Sequence, residues 1–300
     1  MDRLQTMSAF VAVADEGGFA PAARKLKLSP PSVTRAISAL EARLGARLLH
    51  RTTRSLRLTE AGVRYLADCR RILSEIEEAD RHAANLHSEP SGLVSVSASM
   101  LFGRMHVAPL LLQLLDRYPG LSVSAVFVDR VVHLLEEGID IAVRIAELPD
   151  SSLSAVRVGR LRRVLCAAPD YLAAHGRPRH PADLAAHRTI SFVGDTAALD
   201  WTFGNGASGQ RVRPDSRFLV NSADAAIVAA VAGHGVTRVL SYMIAPQLRR
   251  GTLEVLLEDF EPPRVPVHVL HKEAGQTSAR VRAVVDHLVE RLRREPSLAN

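Results

Sequence analysis

The stretch Phe19-Ala-Pro-Ala-Ala-Arg-Lys-Leu-Lys-Leu-Ser-Pro-Pro-Ser-Val-Thr-Arg-Ala-Ile-Ser38 decides the fold of the N-terminal part of this chain. Residues 19–26 carry apolar side chains at helical spacing, and residues 27–29 interrupt the pattern. A second helix can begin after Ser29, whose hydroxyl suits an N-cap. The two prolines that follow fit the first turn, because their missing N–H groups need no partner there. The stretch therefore predicts a helix-turn-helix.

The second helix of this motif is predicted to bury one face and expose the other. Its apolar residues recur at helical spacing and form the buried stripe Val33, Ile37, Leu40 and Leu44. Small, polar and basic residues lie off that stripe: Ser32, Thr34, Arg35, Ser38 and Arg43. Such a face suits the major groove of DNA. The alternative is an ordinary helical hairpin with a solvated basic face.

The net positive charge of the chain is confined to its N-terminal part. The sequence has 38 Lys and Arg residues and 32 Asp and Glu residues, which gives a formal net charge of +6. Residues 1–65 contain 11 of these basic residues and 5 of the acidic ones, so the rest of the chain is neutral overall. A basic module on a neutral body is the charge pattern of a protein that binds a polyanion.

Composition and cysteine usage argue against several other classes. A chain of 300 residues is long enough for two or three domains, and no apolar run reaches the roughly 18–20 residues that span a bilayer. Asp15 and Glu16 interrupt the first apolar stretch, so no signal peptide is predicted. Cys69 and Cys166 lie in different predicted segments, which favours neither a disulfide framework nor a metal site. We expect a cytoplasmic protein without a cofactor, a metal or a membrane partner.

Residues 47–58 predict a short two-stranded wing after the helix-turn-helix. Apolar residues alternate there with basic and β-branched residues, as in a strand pair. Arg51, Arg54 and Arg57 would lie near the phosphate backbone beside the groove. The alternative is a solvated basic loop.

A long helix is predicted from Glu60 to about Leu86, with Thr59 as its N-cap. Its apolar residues follow heptad spacing: Tyr65, Cys69, Ile72, Ile76, Ala79, Ala83 and Leu86. Charged residues cover most of the remaining circumference. The spacing therefore favours a dimer seam over a helix packed on its own domain. Residues 88–92 predict the linker that ends this helix.

From Leu93 onward, strands alternate with helices, which predicts an α/β architecture with largely parallel sheets. The predicted strands are 93–97, 121–128, 139–144, 163–168, 189–192, 236–240 and 265–271. The predicted helices are 103–117, 129–137, 171–175, 222–232 and 279–293. Residues 201–203 and 217–220 are expected to pair with each other as strands.

These segments and their spacing resemble the LysR-type transcriptional regulators. The resemblance covers nearly all of residues 3–62, in Phe10-Val-Ala-Val-Ala-Asp-Glu-Gly-Gly-Phe19, Ala22-Ala-Arg-Lys-Leu26, Ser29-Pro-Pro-Ser-Val-Thr-Arg35, Leu40-Glu-Ala-Arg-Leu-Gly45, Leu48-Leu-His-Arg51 and Leu58-Thr-Glu-Ala-Gly62. Gly18 and Ala20 stand where the family usually has hydroxyl residues. Pro30 stands where it often has Gln, so a base contact through a Gln side chain is not carried over.

The resemblance implies an α/β protein with an N-terminal all-α winged helix-turn-helix. Residues 1–60 would bind DNA, residues 61–89 would form a dimerising linker helix, and residues 90–300 would bind an effector. The effector-binding domain would have two α/β subdomains, as in a type-2 periplasmic binding protein: subdomain I at about 90–161 and 267–300, and subdomain II at about 162–266. The implied partners are double-stranded promoter DNA, a small-molecule effector and further copies of the chain, as a homodimer or homotetramer. RNA polymerase is left open as a further partner.

The resemblance also implies two sets of site residues. The DNA-binding residues would be Pro30, Pro31, Ser32, Thr34, Arg35, Ser38, Arg51 and Arg54. The effector cleft would be lined by Ser97, Ser99, Met100, Val128, Asp129, Arg144, Phe192, Asn221, Ser222 and Gly235. Hydroxyl groups and helix N-terminal N–H groups near Ser99 favour a carboxylate, while an aromatic effector stays open. The alternatives to ligand contacts are N-caps at Ser99 and Ser222, a turn residue at Asn221 and a salt-bridge partner at Arg144.

Three other functions fit the sequence less well. The sequence has no Gly-rich phosphate loop and no Cys or His set at metal-ligand spacing, so no catalytic residues are predicted. A small-solute-binding protein without DNA function would share the C-terminal fold, but it predicts a signal peptide and no basic module. A thiol redox sensor would need two cysteines in one place, whereas Cys69 and Cys166 lie on different predicted modules.

Overall fold

A computed structural model describes residues 2–51, 56–83, 89–134, 136–148, 153–192, 200–204, 209–271 and 278–298. For residues 51, 74, 75, 77–79 and 81–83 it describes the backbone alone. The chain divides into two compact units, Met1–Leu93 and Val94–Asn300. Among the described residues, no helix combines the length and the apolar character needed to cross a membrane.

In the described part of the first unit, short helices are followed by a strand pair and a long helix. Its elements are α1 (Arg3–Asp15), α2 (Phe19–Leu26), α3 (Pro30–Leu44), β1 (Leu49–Arg51), β2 (Leu56–Leu58) and α4 (Glu60–Ala83). Strands β1 and β2 pair antiparallel, which confirms the predicted wing strands. The turn between them, with Arg54, lies outside the described residues.

Helix α3 begins as the sequence predicts. The Ser29 hydroxyl accepts the N–H of Ser32 at 3.4 Å, and the two prolines occupy the first turn. Three residues of the predicted stripe are fully buried in the core of the unit: Val33, Ile37 and Leu40. The prediction is wrong for Leu44, which is 37% exposed, because the helix ends there and the chain turns away at Gly45 with a φ of 63°.

Helix α4 packs part of its apolar spacing against its own unit. Cys69 is fully buried in the core that α1, α2 and α3 form, and Tyr65 and Ile72 pack against the same core. Cys69 is therefore covered by its own unit, because heptad spacing on a helix fits a neighbouring helix of the same domain equally well. The dimer seam along the rest of α4 stays a prediction. Leu86 lies outside the described residues.

The second unit contains the strands and helices of an α/β domain. Its strands are β3 (Gly92–Ala98), β4 (Leu121–Phe127), β5 (Ile141–Ile145), β6 (Ser154–Leu161), β7 (Arg163–Ala167), β8 (Thr189–Phe192), β9 (Trp201–Phe203), β10 (Gln210–Val212), β11 (Ser216–Val220), β12 (Val236–Leu240), β13 (Glu254–Leu256) and β14 (Val265–His271). Its α-helices are α5 (Met100–Phe102), α6 (Ala108–Arg117), α7 (Pro169–His175), α8 (Ala223–Val231), α9 (Ala245–Arg250) and α10 (Ala279–Arg293). A π-helical turn, Gly103–Val107, joins α5 to α6.

These strands form two five-stranded sheets. The first sheet has the order β4-β3-β5-β14-β6, and the second has the order β11-β8-β12-β7-β13. The parts built on the first and second sheets are called lobe I and lobe II here. The chain crosses from lobe I to lobe II at Arg162 and returns between β13 and β14.

Both sheets are mixed, so the prediction of largely parallel sheets is wrong. Strand β5 is parallel to β3, and β8 is parallel to both β11 and β12. The strand that enters lobe II, β7, runs antiparallel to β12, and the returning strand β14 runs antiparallel to β5 and β6. The two crossings between the lobes therefore reverse the local strand direction.

Two further predictions about single elements are wrong. The described residues of 129–137 form bends and turns instead of a helix; there the Glu137 carboxylate pairs with Arg130 at 2.6 Å and accepts the N–H of His133 at 3.1 Å. Strand β9 pairs with β10, whereas β11 pairs with β8. The Ser216 hydroxyl accounts for that pairing, because it lies 3.0 Å from the Thr189 hydroxyl and 2.6 Å from the Ser191 hydroxyl.

Candidate nucleic-acid interface and effector cleft

The outer face of α3 carries the six helix residues predicted to contact DNA. Pro30, Pro31, Arg35 and Ser38 are exposed, and Ser32 and Thr34 are half-buried. The Thr34 hydroxyl donates to the carbonyl of Pro30 at 3.1 Å, and the Ser32 hydroxyl lies 2.8 Å from that of Ser29. Local bonds thus use these two hydroxyls, and Arg35 supplies the positive charge of the face.

The wing is held against α3 by a residue that sequence reasoning missed. The Glu41 carboxylate accepts the N–H of Leu48 at 2.8 Å and that of Leu49 at 3.2 Å. A buried backbone N–H must find an acceptor, and a charged acceptor strengthens the bond. Glu41 therefore fixes the direction in which β1 leaves the helix.

The start of α4 fixes the wing from its other side. The Thr59 hydroxyl donates to the carbonyl of Arg47 at 2.7 Å and accepts the N–H of Gly62 at 2.9 Å, which confirms the predicted N-cap. A Cβ atom on Gly62 would lie 2.0 Å from the Leu48 carbonyl oxygen. Only glycine allows this approach of α4 to β1. The backbone of Arg51 lies at the end of β1, while its side chain and all of Arg54 lie outside the described residues.

In lobe I, the predicted cleft residues Ser97 and Arg144 lie on neighbouring strands. Ser97 is fully buried on β3, and its hydroxyl accepts from an Arg144 guanidinium nitrogen on β5 at 3.4 Å. Burial lowers the pKa of the half-buried Arg144. Among its described contacts, Arg144 therefore makes a hydrogen bond to a hydroxyl group and not the salt bridge that was the alternative.

The helix N-terminus that was expected to attract an anion already holds a carboxylate of the protein. Helix α5 begins at Met100 rather than at the predicted Gly103. The Asp129 carboxylate accepts the N–H of Met100, at this helix start, at 2.9 Å. Val128 precedes this carboxylate, and its backbone N–H donates to the Ala98 carbonyl at 2.9 Å. Asp129 and Met100 therefore satisfy each other, and this N–H is not available to a carboxylate effector.

Ser99 precedes the same helix without capping it. Its hydroxyl makes no cap bond and is buried without a hydrogen-bond partner among the described residues. Close by, Tyr242 of lobe II packs its ring edge-on against Phe102 of lobe I, with ring centroids 5.2 Å apart. The same ring lies 5.5 Å from that of His106. Sequence reasoning missed both Tyr242 and His106, since neither belongs to a motif.

The residues predicted in lobe II have mostly structural contacts. Ser222 caps α8 by accepting the N–H of Ala225 at 3.3 Å, and Asn221 before it is exposed. Phe192, at the end of β8, packs partly buried against the main core. Gly235 has a φ of 151°, and a Cβ there would lie 2.4 Å from the Arg188 carbonyl oxygen. The geometry thus accounts for Ser222 and Gly235 without a ligand.

A salt bridge also joins the two lobes beside this site. Arg104, in the π-helical turn of lobe I, lies 3.3 Å from the carboxylate of Asp224 on α8 of lobe II. Both side chains are more than half exposed. The pair therefore contributes little to stability but marks where the lobes approach each other.

Metal and thiol chemistry have little support in the described part of the chain. No group of three or more His, Cys, Asp or Glu residues there could hold a metal ion. Burial raises the pKa of the Cys69 thiol to about 11 and that of Cys166 to about 12. The two cysteines lie in different compact units. Neither is a reactive thiolate at neutral pH.

Two family descriptions match most of the chain. Residues 4–63 match the "Bacterial regulatory helix-turn-helix protein, lysR family" and residues 87–293 match the "LysR substrate binding domain". The chain therefore belongs to the LysR-type transcriptional regulators. It is a transcriptional regulator with a helix-turn-helix domain and a substrate-binding domain, and its N-terminal helices and two α/β lobes are the fold of that family.

Individual relatives agree with this assignment. The HTH-type transcriptional activator AaeR of Escherichia coli K12 is 34% identical over 291 residues, which cover 97% of this chain and 94% of that protein. The structure of CrgA, a LysR-type transcriptional regulator from Neisseria meningitidis, has a TM-score of 0.62 at 31% identity and covers 96% of this chain and 98% of that one. The full-length Vibrio cholerae virulence activator AphB has a TM-score of 0.59 at 26% identity, with 96% and 99% covered.

Proposed function

We propose that this regulator inserts α3 into the major groove of promoter DNA, with the wing against the phosphate backbone, and that a small molecule between lobes I and II modulates transcription. The observation that carries the DNA part is the exposed polar face of α3 within residues 1–65, the part of the chain whose excess of basic residues equals the net charge of the whole. The Glu41 and Gly62 contacts support it, because they hold the wing in a fixed position relative to α3. The proposed location is the cytoplasm. Contact with RNA polymerase stays a prediction.

The DNA part is tested with two arginine variants. Fluorescence anisotropy compares a duplex identified by genome-wide binding of the protein with a scrambled duplex of equal length. Arg35→Ala should reduce the discrimination between the duplexes by about 1–3 kcal/mol, the value of one bidentate base contact. Arg64→Ala is the matched control, since Arg64 is exposed on α4 and pairs with Glu60 at 2.7 Å. An equal loss on both duplexes for Arg35→Ala would assign Arg35 to the phosphate backbone instead.

A second copy of the chain is the proposed partner of an apolar surface on lobe II. Strand β11 is the edge of its sheet and exposes Phe218 and Leu219, at 44% and 55%; on α8, which packs beside β11, Val228 is 68% exposed. An exposed apolar edge of this kind favours association with another chain. Val228→Asp should lower the mass measured by light scattering, whereas Val131→Asp, at an exposed valine of lobe I, should not. An unchanged mass in both variants would rule this surface out as the contact.

A further inference from the structure

A groove lies at the surface of lobe I between the last turn of α6 and the side of α10. Its volume is about 360 Å³, which is within the range of small-molecule sites. The proposed effector cleft lies at the other end of the same continuous helix, where α5 begins at Met100. The groove is therefore separate from that cleft, and lobe I alone forms it.

The groove has an apolar floor beneath a charged rim. Leu114 of α6 and Ala283 of α10 line the floor, and Leu114 is only 1% exposed. These two residues are called the apolar floor here. The α10 side of the rim carries Arg282, Asp286 and Glu290, which are spaced four residues apart and therefore lie along one face of the helix. Such a floor can accept a short hydrocarbon chain.

The positive charges of the groove lie at one end and come from both helices. Arg117 belongs to the last turn of α6, where its guanidinium lies 5.1 Å from the centre of the Tyr118 ring, and Arg282 lies one turn into α10. These two arginines are called the arginine end. Neither guanidinium has an ion-pair partner among the residues that the structure describes. Two such groups beside the start of a helix suit a carboxylate or phosphate.

The unpaired negative charge of the groove lies one helical turn further along α10. Asp286 is four residues after Arg282, a rise of about 6 Å, and has no ion-pair partner in the described part of the chain. Glu290 already pairs with Arg294 at 3.0 Å. Burial is the main cause that lowers the pKa of His287, so this groove residue is neutral at neutral pH. Two positive charges are thus followed by one negative charge.

This order of charges favours a ligand that carries both signs. An anion bound at the arginine end would be repelled by Asp286, and a cation bound at Asp286 would be repelled by the arginine end. A polyanion such as DNA would meet the carboxylate of Glu290 as well. Among the described residues, no group of three or more His, Cys, Asp or Glu side chains could hold a metal ion here.

We propose that the groove between α6 and α10 binds a small zwitterion. The acidic group of the ligand pairs with the arginine end, its short hydrocarbon chain lies on the apolar floor, and its ammonium group pairs with Asp286. 4-Aminobutyrate is a simple compound with this order of groups and serves as the probe. Because the groove lies outside the proposed effector cleft, the proposal does not depend on the proposed function.

The first test compares three probes with the full chain in saturation-transfer NMR titrations. 4-Aminobutyrate carries both charges, butyrate lacks the ammonium group and butylamine lacks the carboxylate. We expect a millimolar Kd for 4-aminobutyrate, because the charged side chains of the groove are exposed, and binding about fivefold weaker for each of the other two probes. Absence of 4-aminobutyrate binding at millimolar concentration would overturn the proposal, as would equal binding of butyrate or butylamine.

The second test removes one charge from the arginine end. Arg282→Gln should weaken the binding of 4-aminobutyrate about fivefold without lowering the Tm, because Arg282 is exposed. Arg291→Gln is the matched control, since it removes the same charge from an exposed residue of α10 that does not line the groove. Unchanged binding in Arg282→Gln would place the probe elsewhere, and equal weakening in both variants would reduce its binding to general charge attraction. Either result overturns the proposal.

The third test addresses the ammonium contact. Asp286→Asn should abolish the preference for 4-aminobutyrate over butyrate, because the amide no longer attracts the ammonium group or repels the carboxylate. Asp116→Asn, at an exposed aspartate of α6 outside the groove, should retain the preference. A preference that persists in Asp286→Asn would overturn the assignment of the ammonium group to Asp286.

Discussion

Polar side chains serve different purposes in the DNA-binding unit and in the two-lobed unit. In the first, Ser29, Ser32 and Arg35 are close in sequence and lie at or near the surface, and the partly buried carboxylate of Glu41 accepts two backbone N–H groups of the wing. In the second, Ser99 and Tyr242 come from distant segments and are buried without described partners. The polar contacts of the first unit therefore depend on neighbours along the chain, whereas those of the second depend on how distant segments meet.

The largest effect on stability is expected in the DNA-binding unit, at Gly62. Gly62→Ala should destabilise the first unit by about 2–4 kcal/mol, because the new Cβ would meet the Leu48 carbonyl oxygen. Helix propensity alone predicts the opposite sign, since alanine is the better helix former. Urea unfolding and DNA anisotropy measure the effect. Gly18→Ala, whose Cβ would have its nearest atom at 3.4 Å, is the control.

If Gly62→Ala folds and binds DNA as wild type does, α4 can move away from β1 at little cost. The wing would then not be fixed as described.

A smaller effect is expected at the crossing between the lobes. Arg162 donates to Glu261 at 2.6 and 2.8 Å and to Glu258 at 2.7 Å, and the Glu261 side chain is only 16% exposed. Arg162→Met should cost about 1–2 kcal/mol in urea unfolding of the second unit, since it leaves Glu261 partly buried and unpaired. An unchanged free energy of unfolding would show that this ion pair does not stabilise the crossing between the lobes.

The stability of the two-lobed unit should decrease as the pH falls. Burial is the main cause that lowers the pKa values of four of its histidines: His106, His187, His268 and His287. The unfolded chain then binds protons more readily, so stability is full above about pH 6.5 and falls as the pH drops below it. Thermal unfolding across this range measures the slope, and His106→Gln should make it shallower. A stability that rises on acidification would contradict the assignment of these histidines as neutral in the folded state.

The smallest expected effect concerns an exposed ion pair of the first unit. Arg64 and Glu60 are spaced i, i+4 on α4, with 70% and 87% of their side chains exposed. Arg64→Ala should change the free energy of unfolding by less than about 0.5 kcal/mol. A loss as large as that expected for Arg162→Met would mean that this ion pair stabilises α4 more than an exposed pair usually does.

The features that could be predicted from the sequence depend on neighbours along the chain. The Ser29 and Thr59 caps involve residues within one turn, and the buried face of α3 repeats at helical spacing, so composition and spacing are sufficient. The strand limits of β8, β12 and β14 are also as predicted, because buried strands are marked by short apolar runs between turn residues.

The features that could not be predicted depend on contacts between distant segments. The Asp129 carboxylate, after β4, accepts the N–H of Met100, the first residue of α5, and nothing near either residue in the sequence indicates this. Tyr242 belongs to no motif, and its ring contacts with lobe I exist only after both lobes have folded. Apolar spacing on α4 predicts a buried face, but periodicity does not show whether the same domain, as at Cys69, or a second chain covers it.

In the helix that contains the π-helical turn Gly103–Val107, the exact number of residues determines the direction in which side chains before the turn point. Each residue of an α-helix rotates the next side chain by about 100°, so one additional residue within a turn changes the direction of the preceding part by that angle. Phe102, before the turn, contacts Tyr242 of lobe II, while Leu111 and Leu114, after it, lie in the core with lobe I. An insertion or deletion of one residue here would turn the Phe102 side chain away from Tyr242, although the amino-acid composition of the helix would hardly change. Two relatives could therefore align well along this helix and still present different faces to their effectors.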